Sequence, residues 1–352
     1  MTHEEILNWL RENDAARLAE LWRLADETRR RHVGDAVHLR GLVEFSNVCA
    51  RQCAYCGLRA GRAGLDRYRM TAEEILACAH EAVRLGYGTV VLQSGEDPSC
   101  SADWLAGVIR RIKSETALAV TLSVGERSDS DLAAWKDAGA DRYLLRFETS
   151  NAELFRAIHP PLDPSRPDRF ETLGTLKLLG YETGSGVMAG IPGQTYDDLA
   201  RSIARFAELD LDMIGCGPFI AHPDTPLARR AARLAAPEGE QVPATETMAY
   251  KVIALARQVC PDTNIPSTTA VATLAGEDGR DLGLARGANV VMPNLTPATY
   301  RARYEIYPAK AGVQQDGDYH EAIRRRILAM GREVGRGRGD SPNHRPATAV
   351  QE

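Results

Sequence analysis

Short, nearly continuous apolar runs alternate along the chain with longer stretches whose apolar residues recur every three or four positions. LVEFSN (42–47) is the first such run, and after a loop TAEEILACAHEAVRLG (71–86) shows helical periodicity. TVVLQSG (89–95), LAVTLSV (118–124), RYLLRFET (142–149), TGSGVMAGI (183–191), MIGCGPF (213–219), NIPSTT (264–269) and NVVMPN (289–294) follow as β segments. Helical stretches near 102–113, 130–139, 169–180, 196–209, 245–258 and 280–286 separate them. Apolar strands alternating with helices predict a parallel sheet covered on its faces, and eight such units suffice to close it. The expected fold is therefore α/β, a (βα)8 TIM-type barrel over residues 39–312.

The ends of the chain read differently. Residues 1–38 are rich in both acids and bases with an amphipathic period, which predicts an N-terminal helical extension. They lack the apolar centre of a secretory signal, and no run of about 18 apolar residues occurs anywhere, so no membrane role and a cytoplasmic location are expected. A helical segment is expected over 313–334. Residues 335–352, rich in Gly, Arg and Pro, are expected to be a disordered tail. With 44% hydrophobic and 26% charged residues the chain has the balance of a globular enzyme, and a net charge of −5 provides no basic field for nucleic acid.

The candidate chemistry begins at NVCARQCAYCGLRAG (47–61), which places Cys49, Cys53 and Cys56 within eight positions. The other four cysteines are scattered, and an odd total of seven argues for reduced thiols rather than a disulfide framework. A structural zinc site would want four closed ligands, and no fourth Cys or His lies at a usual offset. A cubane iron-sulfur cluster held by three thiolates keeps one iron open. The loop directly follows the first strand, at the end of a barrel where chemistry is placed.

CxxxCxxC after a first barrel strand resembles the radical S-adenosylmethionine (SAM) superfamily. That resemblance implies a 4Fe-4S cluster whose open iron chelates SAM, with reductive cleavage to a 5′-deoxyadenosyl radical. Tyr55 matches the aromatic position beside the adenine. LQSGED (92–97) resembles the glycine-containing contact to the methionyl amino group, with Ser94-Gly95-Glu96 in place of the usual Gly-Gly-Glu, and MAGIPGQT (188–195) resembles the segment lining the adenine. By the period of two, Thr121 and Ser123 share one side of the third strand, and Arg146 and Glu148 one side of the fourth. Arg146 and Glu148 would then be either a clamp on SAM or substrate, or a structural ion pair.

Longer stretches narrow the resemblance. VEFSNVCARQCAYCGLR, RYRMTAEEI, VVLQSGEDP, AGADRYLLRFETSN, LGYETGSGVMAGIPGQT, GPFIAHPDTPL and ANVVMPNLTPATYRARYEIYPAK, from about residue 40 to 312, resemble the FeFe-hydrogenase maturase HydE family. The resemblance implies SAM contacts at Tyr55, Gln93, Ser123, Glu148 and Arg169, and a substrate cavity lined by Arg146, Thr268, Thr269, Met292 and Tyr304. It also implies assembly of the H-cluster diiron site from an iron complex of carbon monoxide, cyanide and cysteine. The partners implied are a tyrosine-cleaving maturase, a scaffold GTPase and an electron donor such as flavodoxin or ferredoxin. Met292 and Tyr304 read equally well as core filling, and the two threonines as groups bonding back to the main chain. A second cysteine group common in the family would fall just beyond Lys310, where AGVQQDGDYHEA offers no thiol, so a single cluster is expected. The alternatives are a methylornithine synthase-like lysine mutase, more distantly a biotin synthase, and, outside enzymes, an iron-sulfur scaffold or carrier.

Overall fold

The computed structural model describes residues 1–162, 168–230, 234, 236–276, 278–315 and 317–345. Seven parallel strands form its centre: β1 (Ala36–Ser46), β2 (Thr89–Ser94), β3 (Ala119–Ser123), β4 (Arg142–Leu144), β5 (Glu182–Ala189), β6 (Met213–Pro218) and β7 (Val290–Val291). They are ordered β6-β5-β4-β3-β2-β1-β7. Residues 264–266 complete the ring, since Asn264 bridges Met213 and Pro266 bridges Val290. The Ile214 amide donates to the Asn264 carbonyl at 3.0 Å and the Ser267 amide to the Val290 carbonyl at 2.9 Å. The eight expected β segments are thus the staves of the barrel. The seventh is a pair of bridges rather than a full strand because Pro266 has no N–H to give the ladder.

Strand alternation separates the two faces. Val90, Leu92, Val120, Leu122, Tyr143 and Val187 point outward into one hydrophobic core shared with the return helices, including Ile75, Leu105, Ile109, Trp135, Leu173 and Ile203. The other parity is largely polar and faces the lumen, as the Arg40 guanidinium of β1 shows by reaching across to the Met213 sulfur of β6 at 3.0 Å. Return helices begin on side-chain caps at Thr71, Ser101, Ser128, Asp168 and Thr195, which satisfy the free amides of each first turn. Helix α1 (His3–Arg11) and helix α2 (Ala15–Val33) pack outside the barrel, on the helices Tyr196–Glu208 and Glu246–Val259. The buried Lys251 ammonium donates to the Leu10 carbonyl at 2.9 Å and so closes the C-terminal end of α1. No helix among the described residues is long and apolar enough to cross a membrane.

Two local expectations are corrected. RYLLRFET is a regular strand only through Leu144; the chain then leaves the ladder and returns where Glu148 bridges Val187, with Glu148 at φ 63°. The tail is also not disordered through its described part. After the helix Tyr319–Ala329, a last strand β8 (Glu333–Val334) pairs with Ala36 and Val37 of β1. Residues 335–345 then cross the N-terminal mouth of the barrel; residues 346–352 lie outside the described set.

The physical reason lies at the strand starts, where Arg40, Arg142 and Glu182 are buried and need partners. Arg142 meets Glu182 and Asp340 and donates to Thr89 Oγ1 at 2.9 Å and to the Arg338 carbonyl at 3.0 Å. The Gly339 carbonyl accepts from Arg40 and from Asn264, each at 3.0 Å. The tail approaches so closely that a β-carbon on Gly88 would lie 1.6 Å from the Gly337 carbonyl oxygen. Low apolar content predicts no hydrophobic docking, but a polar plug needs only polar groups at the right places. Glu182→Gln is expected to cost about 3 kcal/mol by leaving a buried guanidinium short of counter-charge. Asp340→Asn, at a carboxylate 48% exposed, should cost less than about 1 kcal/mol. Chemical denaturation of the two variants tests that ordering.

Candidate active site

β1 delivers the chain to the C-terminal mouth of the barrel at Ser46, and the loop that follows is held from several sides. Buried Asn47 donates to the Asp66 and Arg303 carbonyls, both at 2.9 Å, and accepts from the Tyr68 amide at 2.7 Å. Arg67 donates to the carbonyls of Asn47, Leu58 and Arg59 at 2.6 to 2.8 Å. Two glycines allow the closest approaches. A β-carbon on Gly95 would lie 2.3 Å from the Val48 oxygen and 2.7 Å from Cys49 Cβ, and one on Gly57 would lie 2.1 Å from the Glu305 oxygen.

This seating gathers Cys49, Cys53 and Cys56. Burial pushes all three thiols up, Cys56 to about 12, and the neighbouring Cys56 and Cys49 raise Cys53 further. One backbone amide already serves a sulfur of the loop, that of Leu58 at Cys56 at 3.4 Å. Thiols raised by burial are poor free nucleophiles, and as thiolates they are good ligands for a cation or cluster, which displaces their protons. Cys78, Cys100, Cys216 and Cys260 are instead packed in the hydrophobic core.

Around the loop lie residues expected to contact a cofactor. Tyr55 packs on a separate apolar group of Leu154, Ile158, Met188, Ile191, Phe219 and Leu227, so the loop faces the end of β5. Buried Gln194 fixes that end by accepting from the Gly190 amide at 2.8 Å and donating to the Met188 carbonyl at 3.1 Å. Glu148 pairs with Arg146 through two contacts of 3.1 and 2.7 Å. Its left-handed backbone costs a residue with a side chain about 1–2 kcal/mol, and strain of this kind concentrates where a side chain must be aimed.

Arg169, the first residue of the helix Arg169–Leu178, donates to Glu126 at 2.8 Å, contacts the Arg146 carbonyl and His159, and lies 5.1 Å over the Phe155 ring. Burial and the adjacent Arg169 drive His159 down to about 2, so it stays neutral. Arg51, between the first two cysteines, pairs with Glu96 at 2.6 Å and with Glu126. Donor atoms of Glu96, Glu126 and His159 lie within 4.8 Å of one another, but the guanidiniums of Arg51 and Arg169 already occupy them, so this is a charge network rather than a cation site.

Deeper in the lumen, Gln93 donates to the Tyr304 hydroxyl at 3.3 Å, and Ser123 lies beside Gln93 in the strand ladder. Thr268 donates to the Cys216 carbonyl at 3.1 Å, which is the back-bonding anticipated as an alternative. Thr269 opens the helix Thr269–Ala275, and Met292 is half-buried just past β7. Lys310 bonds Glu44 at 2.6 Å and the Tyr304 carbonyl at 2.9 Å, while Asn294 takes the other Glu44 oxygen at 2.9 Å. On the β5 and β6 side Gly184 and Gly186 allow close packing, since a β-carbon would lie 2.8 Å from the Met213 methyl and 1.9 Å from the Gly215 oxygen, whereas a β-carbon on Gly215 would meet no atom nearer than 3.8 Å. Buried Thr121 Oγ1 has no partner, a polar group left for a ligand to satisfy.

Sequence reading missed Arg51, Glu126, His159, Glu44 and Lys310 as site residues. One usable signal was the repeat of Gly-Glu at the ends of the second and third strands, Gly95-Glu96 and Gly125-Glu126. A second was a lone carboxylate inside the apolar run LVEFS.

Residues 43–206 match the family model of the Radical SAM superfamily. Over 336 residues the chain is 47% identical to the FeFe hydrogenase maturase subunit HydE of Thermotoga maritima, covering 95% of this chain and 92% of that one. It is 27% identical over 318 residues to the 3-methylornithine synthase of Methanosarcina acetivorans, covering 90% and 85% of the two chains. A crystal structure of methylornithine synthase superposes with a TM-score of 0.79 at 24% identity, covering 95% of this chain and 94% of that one, which shows the shared fold. An identity of 47% sustained along almost the whole length, on a barrel whose first strand ends in the three-cysteine loop, settles the membership: the chain belongs to the HydE family of FeFe hydrogenase maturases, within the radical SAM superfamily.

Proposed function

We propose that Cys49, Cys53 and Cys56 hold a single 4Fe-4S cluster and that the protein uses SAM bound there in building the diiron site of FeFe hydrogenase. The observation that carries this reading is a loop bearing three cysteines within eight positions, seated by Asn47, Arg67, Gly57 and Gly95 at the C-terminal mouth of a closed barrel, while the other cysteines are packed in the core. When bound, the cluster supplies one electron to the SAM sulfonium, which yields methionine and the 5′-deoxyadenosyl radical.

The chain's own residues bind, orient and exclude. Tyr55 and the Met188–Ile191 segment present an apolar face to the adenine. Glu148, Arg169, Ser123 and Gln93 offer charges and hydrogen bonds to the ribose and the methionyl group. Arg146, Thr268, Thr269, Met292 and Tyr304 line the substrate region, where Gly215 leaves space beside Arg146. A lumen closed by its tail at one mouth excludes water and stray hydrogen donors from a radical. The substrate in this reading is the iron complex of carbon monoxide, cyanide and cysteine, received from a tyrosine-cleaving maturase. Its product passes to a scaffold GTPase, and a flavodoxin or ferredoxin supplies the electrons.

Protein reconstituted without oxygen is expected to hold about four irons per chain. Cys53→Ser should lose them; about eight irons, or a cluster surviving that change, would defeat the assignment. Glu148→Gly relieves the left-handed strain while deleting the carboxylate, and Arg146, 29% exposed where Arg142 is 0%, keeps access to water, so the Tm should stay within about 3 °C of the parent. Its SAM affinity, measured by calorimetry, should fall about tenfold, as for loss of a charged hydrogen bond. With a reductant and SAM the protein should release 5′-deoxyadenosine and consume the iron complex, and lysine should give no methylornithine. Appearance of methylornithine would transfer the assignment to the mutase.

A further inference from the structure

Arg51, within the cysteine loop, and Arg169, proposed above as a SAM contact, share one carboxylate. Arg51 is enclosed, with 4% of its side chain exposed, and contacts Glu126 through one guanidinium nitrogen while a second bonds Glu96 at 2.6 Å. The other Glu126 oxygen accepts from Arg169 at 2.8 Å. Among the described residues, Glu126 is the one carboxylate in ion-pair contact with Arg169. The remaining Arg169 donors go to a main-chain carbonyl and to His159, and neither offers a counter-charge.

Glu126 itself has little freedom. Its amide donates to Glu96 at 2.9 Å, and Gly125, at φ 80°, would place a β-carbon 1.9 Å from Glu96 Cγ. Glu96 in turn accepts the Ala50 amide through its carbonyl at 2.9 Å, inside the cysteine loop. Two guanidiniums and two carboxylates therefore balance in a desolvated space, and each holds its position only while the others hold theirs.

We infer that Glu126 is a positioning residue that couples the two halves of the site: the loop conformation that gathers the three thiols also fixes Arg169 for SAM. This rests on the reading of Arg169 as a SAM contact. Loading of the loop then raises SAM affinity through Arg51, Glu126 and Arg169, and by linkage SAM stabilises the loaded loop by the same factor. Glu126 touches neither cofactor nor substrate in this scheme.

The test compares Glu126→Gln, Arg169→Ala and the double variant as reconstituted full-length protein, reading iron per chain and SAM affinity by calorimetry. Glu126→Gln should keep about four irons while its SAM Kd rises about tenfold, the scale of one charged hydrogen bond. The double variant should bind SAM no more weakly than Arg169→Ala alone, and Glu126→Asp should recover part of the loss. Parent-like SAM affinity in Glu126→Gln beside a weakened Arg169→Ala would overturn the coupling and leave the Arg169 assignment standing. Parent-like affinity in Arg169→Ala would overturn both. Loss of iron in folded Glu126→Gln would also overturn the coupling, since Glu126 would then serve the loop alone. Should Glu126→Gln fail to fold, Arg51→Lys decides: it keeps the charge but cannot span both carboxylates, and parent-like SAM affinity in that variant with iron in place refutes the coupling.

Discussion

A charge inside a closed barrel must find its counter-charge there, because the strands and helices that exclude water leave no other solvent. This requirement acts at three heights. At the N-terminal mouth Arg142 meets Glu182 and Asp340. Beside β1, Glu44 meets Lys310, which carries the segment bearing Tyr304 into place. At the C-terminal mouth Arg51, Glu96, Glu126 and Arg169 form the network that seats the cysteine loop. Hydrophobic packing makes the wall; these pairings decide what the interior can hold.

The wall was legible in the sequence, and the pairings were not. Alternation along TVVLQS and AVTLS gives strand and facing at once, because both are local properties of the chain. The three cysteines were legible for the same reason, being within eight positions of each other. Arg51 and Glu126 are 75 positions apart and Arg142 and Asp340 are 198 apart, so nothing local marks them as partners. Glu148 stood out in the sequence as a candidate contact, but the departure of its backbone from strand geometry did not, since RFET has ordinary strand composition. The tail failed as an expectation because composition measures apolar burial, and its contacts are polar: main-chain carbonyls, an amide, and the side chains of Arg338, Asp340, Ser341 and Asn343.

The segment after Lys310, where the sequence offers no thiol, is shaped by other means. Gln315 donates to the Asn294 and Gly312 carbonyls at 2.9 and 3.2 Å. The helix Tyr319–Ala329 then covers a cavity of about 320 Å³ between itself, Ala272, Leu284 and Val291. This cavity lies behind β7 and outside the lumen.

The plug at the N-terminal mouth also orders events in time. β8 pairs with the start of β1 across nearly 300 positions, and Arg338, Gly339 and Ser341 reach Arg142, Arg40 and Glu182 only after every barrel strand exists. During synthesis Arg142 can pair with Glu182 as soon as β5 is made, but its tail contacts and those of Arg40 wait for residues 338–341. Contacts of this separation carry a high loop-closure cost, which favours closing the base after the strands have paired. A nascent chain can assemble its thiol loop at one end while the other end is still wet.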